Sequence, residues 1–197
     1  MNPPVAILPK SLCICGKDRE INTDYRIALW IFKALEDSEL NKKEKIIVML
    51  DNLYKDDIYR FNADELKEAC EKAQWYLDGG GIIDEQKSNS KPIIDWEQDE
   101  KIIFSAVNKV AQCEVRSIEY MHWWTFLGYF GEVGECLLTT VIGIRQKINS
   151  KKILEKHEKE FVREHKNLIT IKTKYTKEEQ KEIDEIKKIM KSKSPVS

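Results

Sequence analysis

Charge of one sign is what this chain most plainly lacks. Its 197 residues carry 33 Lys and Arg against 34 Asp and Glu, a formal net charge of −1. That near-neutrality removes the basic excess with which a protein grips nucleic-acid phosphates. Long apolar runs are missing too: none approaches the roughly 20 residues that span a bilayer. The opening MNPPVAILPK has neither the basic start nor the apolar stretch of a secretory signal. The expectation is a protein of the cytoplasm that makes it, touching neither nucleic acid nor membrane. Five cysteines, at positions 13, 15, 70, 113 and 136, are odd in number and scattered. Such a set makes no disulfide framework and predicts reduced, mostly buried thiols. Cys13 and Cys15 alternate in a strand reading and should share a face. Neither a CxxC nor an HxxxH pair is present, so no structural metal and no cofactor is expected.

Signs of a reaction are equally sparse. No serine elbow occurs, and no cysteine has a readable activating partner. Glu119-x-x-His122 has the spacing of a carboxylate-bridged di-iron bundle, but that chemistry needs a second such pair and two more inward glutamates. His122 therefore reads as a partly buried histidine bonded to backbone or to an acid. Glu132-x-x-Glu135 resembles the paired-carboxylate helix that opens the magnesium site of all-α nucleotide pyrophosphohydrolases. A second motif ending in Asp should follow on the next helix. The following helix offers only Glu155-x-x-Glu158 in a charged run. The enzyme reading stands as an alternative, and catalytic residues are expected to be absent.

What the chain does have is an aromatic concentration. EYMHWWTFLGYFG, Glu119 to Gly131, holds Tyr120, Trp123, Trp124, Phe126, Tyr129 and Phe130. As a helix it is apolar nearly all round, and it should be covered on most faces. Tyr120, Trp124 and Leu127 are assigned to the core, and Trp123 with Phe130 to a contact surface.

Around that run the pattern is helical. SLCICGKDREI, Ser11 to Ile21, predicts a hairpin turning at Gly16–Lys17. Thr23 or Asp24 can cap a helix bearing Ile27, Trp30, Ile31 and Leu35. Asn41 with Glu44, and Asn62 with Glu65, are capping-box starts for two more. The third helix stops at Gly79–Gly80–Gly81, and Asp95 with Gln98 opens another. After Ser150 Lys and Glu dominate, with narrow stripes of Ile153, Leu154 and Phe161, then Ile183, Ile186 and Met190. The fold class predicted is mainly α: a hairpin over 1–22, a helical core domain over 23–149, and a charged helical extension over 150–197.

Several segments recur in an order and spacing that resemble the bacteriophage "gene product fifteen" family of tail-morphogenesis clusters. They are LPKS, Gly16, INTDYR at Ile21 to Arg26, DWEQDEKIIFSAV at Asp95 to Val107, MHWWTF at Met121 to Phe126, and Ile144–Arg145. HWWxF is the most specific of them, and the likeness covers roughly Leu8 to Ile148. VRSI at Val115 to Ile118 departs from the family's Gly-Ile-Asp-like approach to that motif. The family has no established catalytic residues to carry over. The resemblance implies a tail assembly chaperone that binds the tape-measure protein, with the tail tube protein as a second partner, in several copies and in the host bacterial cytoplasm. A tail component that stays in the virion is the other non-enzymatic reading. The contact residues expected are His122, Trp123, Trp124, Phe126 and Phe130 in the motif, and Ile183, Ile186 and Met190 in the extension.

Overall fold

Alternation decides the first element. In β1 (Ser11–Ile14) Leu12 and Ile14 are buried while Ser11 and Cys13 face solvent, the period of two that a one-sided strand imposes. β2 (Lys17–Glu20) returns antiparallel, with Ile14 opposite Lys17. The loop between them is Cys15–Gly16, at φ values of 48° and 77°, and two positive φ angles give the turn whose twist fits a hairpin. The turn thus falls one residue earlier than Gly16–Lys17, and Cys15 leaves the strand face it was expected to share with Cys13. Cys13, Cys15 and Cys113 are exposed and Cys70 and Cys136 half-buried, all five free. Burial was the wrong expectation for them: Leu12 and Ile14 already occupy the inner face of the hairpin.

The computed structural model of the protein describes residues 7–81 and 92–172, so Ile183, Ile186 and Met190 lie outside the described residues. Helix starts follow their caps. Asp24 accepts the Arg26 N–H ahead of α1 (Tyr25–Glu36). Asn41 with Glu44 and Asn62 with Glu65 form reciprocal capping boxes for α2 (Lys42–Leu53) and α3 (Ala63–Leu77), each satisfying two orphan donors. Asp95 accepts the N–H groups of Glu97 and Gln98 as its spacing predicts. That turn leads only to Asp99, however, and α4 runs Glu100–Ala111. Then come α5 (Trp123–Gly131), α6 (Leu137–Asn149), α7 (Lys156–Glu164) and the short α8 (Lys166–Ile169).

The protein is mainly helical, with the hairpin at its N-terminal end. α1 packs on α2 and α5, α4 on α5 and α6, and β1 lies against α3. Ile14, Tyr25, Ile31, Leu50, Tyr76, Val107, Trp123 and Phe126 are among the side chains sealed at the centre. A smaller cluster of Val141, Ile144 and Ile169, with Leu154 and Phe161 against it, joins α6 to α7 and α8. The described part of the Lys/Glu-rich extension therefore packs on the helical domain. Ile153 does not share its stripe: it precedes α7 and is 88% exposed.

Candidate partner-binding surface

The aromatic run is helical only from Trp123, because His122 is the cap that starts α5. Its Nδ1 accepts the Trp124 N–H at 3.0 Å and its Nε2 lies 3.0 Å from the Pro9 carbonyl. A ring accepting at Nδ1 carries its proton on Nε2, so the buried imidazole is neutral and donates to Pro9. Desolvation holds its pKa below the ordinary histidine value, against the raising effect of the Pro9 bond. The strand-like approach on either side is zipped to the chain ahead of α1. Trp123 N–H donates to the Thr23 carbonyl at 2.8 Å, and Tyr25 N–H to the Met121 carbonyl at 2.9 Å. The Arg26 guanidinium holds Asp24 and reaches the carbonyls of Arg116, Ile118 and Glu119. INTDYR and MHWW are thus two halves of one clasp.

The paired tryptophans close the end of α3. Gly79 and Gly80, at φ values of 74° and 81°, let their N–H groups turn back to the Tyr76 and Trp75 carbonyls, a Schellman ending. Trp123 Nε1–H donates to the Leu77 carbonyl at 2.9 Å, and Trp124 Nε1–H to that of Tyr76 at 2.8 Å. With Asp78 N–H on Gln74, each of the last four carbonyls of α3 has a partner, where a helix end normally leaves four orphans.

Burial then reverses the expected faces. Trp123 is 1% exposed, Phe126 is fully buried, Trp124 and Leu127 are half-buried, and Tyr120 is 51% exposed. The assignment of Trp124, Tyr120 and Leu127 to the core and Trp123 to a contact surface is corrected accordingly. Tyr120 precedes the helix, and within α5 the face turned to the core is that of Trp123 and Phe126, not that of Trp124 and Leu127. Trp123 stands at the first helical position, between Phe126, stacked at 5.7 Å, and Phe32 at 5.7 Å. Phe126 stacks on Tyr25 at 4.8 Å, and Trp96 sits 5.5 Å from Phe130. Phe130 is half-buried, on the rim of this aromatic stack.

The carboxylate pairs do not assemble a metal site. Glu132 is the residue that ends α5 and Glu135 lies in the loop before α6, both exposed, so the pair is not borne on a helix. Glu158 is spent on the Lys147 ammonium at 2.6 Å and on the Glu155 N–H. Glu119 is exposed ahead of the helix that His122 caps. Among the described residues no group of His, Cys, Asp or Glu could hold a metal ion.

Two concavities stand out among the described residues. The larger, about 630 Å³, borders Asp95, Arg145, Ile148 and Ile169. Arg145 offers it nothing. Its guanidinium bonds both Asp99 oxygens and the carbonyls of Ile93, Leu168 and Ile169, which uses all five of its donors.

The smaller, about 350 Å³, is a groove between α1 and the start of α4. Leu29, Trp30 and Trp96 give it apolar walls, and Arg26, Lys33, Glu97, Glu100 and Arg116 a rim of both signs. Lys33 and Glu97 pair across one end at 2.8 Å. At the other, Arg116 lies over the Phe104 ring at 5.0 Å and holds the Glu114 carboxyl down to about 2. Trp30 is 56% exposed, whereas the other four tryptophans are buried or half-buried. From the sequence, Trp30 was counted among the apolar residues of its helix and Trp96 within DWEQDEKIIFSAV, and neither was assigned to a contact surface. The signal was there for Trp30: two residues past buried Ala28, it falls about 200° round the helix from the core stripe.

A family model described as bacteriophage Gp15 protein matches residues 6–176. The chain belongs to this family. No curated protein matches it, and no solved structure does. In this Gp15 family member the resembling segments mostly hold the fold. INTDYR and MHWWTF form the clasp, and Asp99 of DWEQDEK meets Arg145 of the Ile144–Arg145 pair. The groove is walled by residues at the edges of those segments: Arg26 follows Tyr25 in the first, and Trp96 and Glu97 follow Asp95 in the second. Among the described residues no helix is long and apolar enough to cross a membrane.

Proposed function

We propose that this Gp15 family protein is a non-enzymatic tail assembly chaperone of the host cytoplasm, binding the tape-measure protein until tube subunits replace it. The observation that carries the reading is the α1–α4 groove. An amphipathic helix is recognised by an apolar trough whose charged margins set its register. A large indole in a pocket is the usual source of most binding energy at such a surface. Trp30, exposed beside half-buried Leu29 and Trp96, has that form. The resemblance supplies the identity of the helix, a tape-measure segment, with the tail tube protein as a second candidate. Several copies should act together, since a tape measure is much longer than one such groove.

Co-expression tests the reading. The tape-measure protein encoded beside this chain should move from the insoluble to the soluble fraction and co-elute with more than one copy of it. A tape measure equally insoluble with and without this chain contradicts it.

A further inference from the structure

We infer that the α1–α4 groove selects a partner helix that carries an arginine, whose guanidinium docks between the Trp30 ring and the Glu100 carboxylate. The inference rests on the reading that this groove is the docking surface, and it names the chemistry of the partner the groove admits.

The register of the two walls brings that pair together. Lys33 meets Glu97 at one end, 2.8 Å apart, and the Tyr25 ring meets Phe104 toward the other, with 6.3 Å between centroids. α1 and the start of α4 therefore run antiparallel across the groove. Midway between those two contacts stand Trp30 on one wall and Glu100 on the other, both exposed and both lining the same trough.

The charges of the rim are matched everywhere except at Glu100. Asp24 holds Arg26 at 2.9 Å, Glu97 holds Lys33 at 2.8 Å, and Glu114 holds Arg116 at 2.7 Å. Among the described residues the Glu100 side chain makes neither an ion pair nor a hydrogen bond. Arg116 acts on it through space only, its bonds going to Glu114. A place in the first turn of α4 suits a carboxylate, yet it leaves the acceptor sites of Glu100 open.

A guanidinium uses both neighbours at once. It lies flat on an indole face while its edge donates a fork of N–H bonds to a carboxylate. An ammonium supplies the charge without the flat, forked contact, and should bind less tightly. A partner carboxylate at the same point would face Glu97 and Glu100, so the groove rejects it. The apolar stripe of the helix then lies on Leu29 and Trp96. The arginine thereby fixes where along an apolar trough the helix sits, and acidic stretches of a long partner are passed over.

The test uses the full chain labelled with 5-fluorotryptophan and a panel of short stapled helices. Each helix has a leucine stripe and one flanking position, stepped along it, that is arginine, lysine, citrulline or glutamate. The Trp30 fluorine signal is assigned by its loss in Trp30→Phe. At least one arginine helix should move that signal saturably and bind about tenfold more tightly than its citrulline twin. Lysine should fall between them, glutamate should be weakest, and added salt should erode the preference. Glu100→Gln, and Trp30→Leu followed through the Trp96 signal, should each cut the preference to about threefold or less with the melt unchanged. Arginine helices that bind no better than their citrulline or glutamate twins overturn the inference. So does a preference that survives both substitutions, or a panel that leaves the Trp30 signal unmoved. No tape-measure protein enters this assay, so its failure leaves the chaperone reading to the co-expression result. A tape measure that stays insoluble, in turn, leaves the arginine preference standing.

Discussion

Arg145 and Asp99 meet out of reach of water, their side chains 3% and 0% exposed, at 2.5 and 2.9 Å. The pair bolts α6 to the start of α4, and the guanidinium's other three bonds fasten Ile93 and the α8 segment around it. It also explains why Asp99 stands at the N-cap of α4 without capping it.

Breaking that pair should be the costliest polar change in the molecule. Arg145→Leu leaves a buried carboxylate and three carbonyls without their donor, a loss of about 3–5 kcal/mol. Asp99→Asn should cost less, since an amide oxygen can still accept. Urea unfolding of the two variants checks the order, and equal midpoints would refute it.

The two adjacent tryptophans should separate in a melt. Trp123→Ala empties a sealed site and should cost about 3–5 kcal/mol. Trp124→Phe keeps much of the ring packing but drops the bond to the Tyr76 carbonyl, a cost of about 1 kcal/mol. Trp30→Ala should change stability by no more than about 0.5 kcal/mol.

Gly80 should tolerate no side chain. Its φ is +81°, and an added Cβ would stand 2.8 Å from the Trp124 ring. Left-handed backbone costs an L-residue about 1–2 kcal/mol, and the clash about 1–3 more. Gly16 has a similar φ of +77° with nothing within 4 Å, so Gly16→Ala should show the backbone cost alone. Denaturant midpoints of the two variants measure the difference.

Acid should loosen the clasp through His122. The folded ring has its pKa lowered from 6.5, so above pH 6.5 it is neutral in both states and the cap is intact. As pH falls below 6.5 the unfolded chain takes up a proton that the folded ring resists, and stability is lost down through the folded pKa. His122→Asn, which keeps an acceptor for the Trp124 N–H, should flatten this slope. A slope unchanged in that variant would assign the acid sensitivity elsewhere.

The proposal that the protein is not an enzyme is open to direct assay. With magnesium or manganese, the protein should hydrolyse nucleoside triphosphates no faster than background, since Glu132 and Glu135 stand exposed at a helix end and in a loop. Turnover abolished by Glu132→Gln and Glu135→Gln together would restore the pyrophosphohydrolase reading.

Local signals were legible in the sequence, and long-range ones were not. Asn41 with Glu44 and Asn62 with Glu65 announced two helix starts, because a cap is written within four residues. The hairpin was visible, but its turn was misplaced by one, since Cys15 adopts a positive φ that favours Gly or Asn. Trp123 and Trp124 were assigned to the wrong faces because α5 is apolar nearly all round, so periodicity separates its faces without saying which one meets the core. His122, bonded to Pro9 far back in the chain, sets where that helix begins. Asp99–Arg145 and the Trp30–Trp96 groove join residues that no local pattern connects, and only the packing of α1, α4 and α6 brings them together.

In the proposed function the groove, not the HWWxF motif, meets the partner. The most direct measurement is the dissociation constant of a soluble tape-measure segment for the protein and for its Trp30→Ala variant, beside their melts. Trp30→Ala should lose about 2 kcal/mol or more of binding, roughly thirtyfold in Kd, with the melting temperature unchanged. A Kd that stays within about twofold of the unmodified protein's, with the variant fully folded, would contradict it.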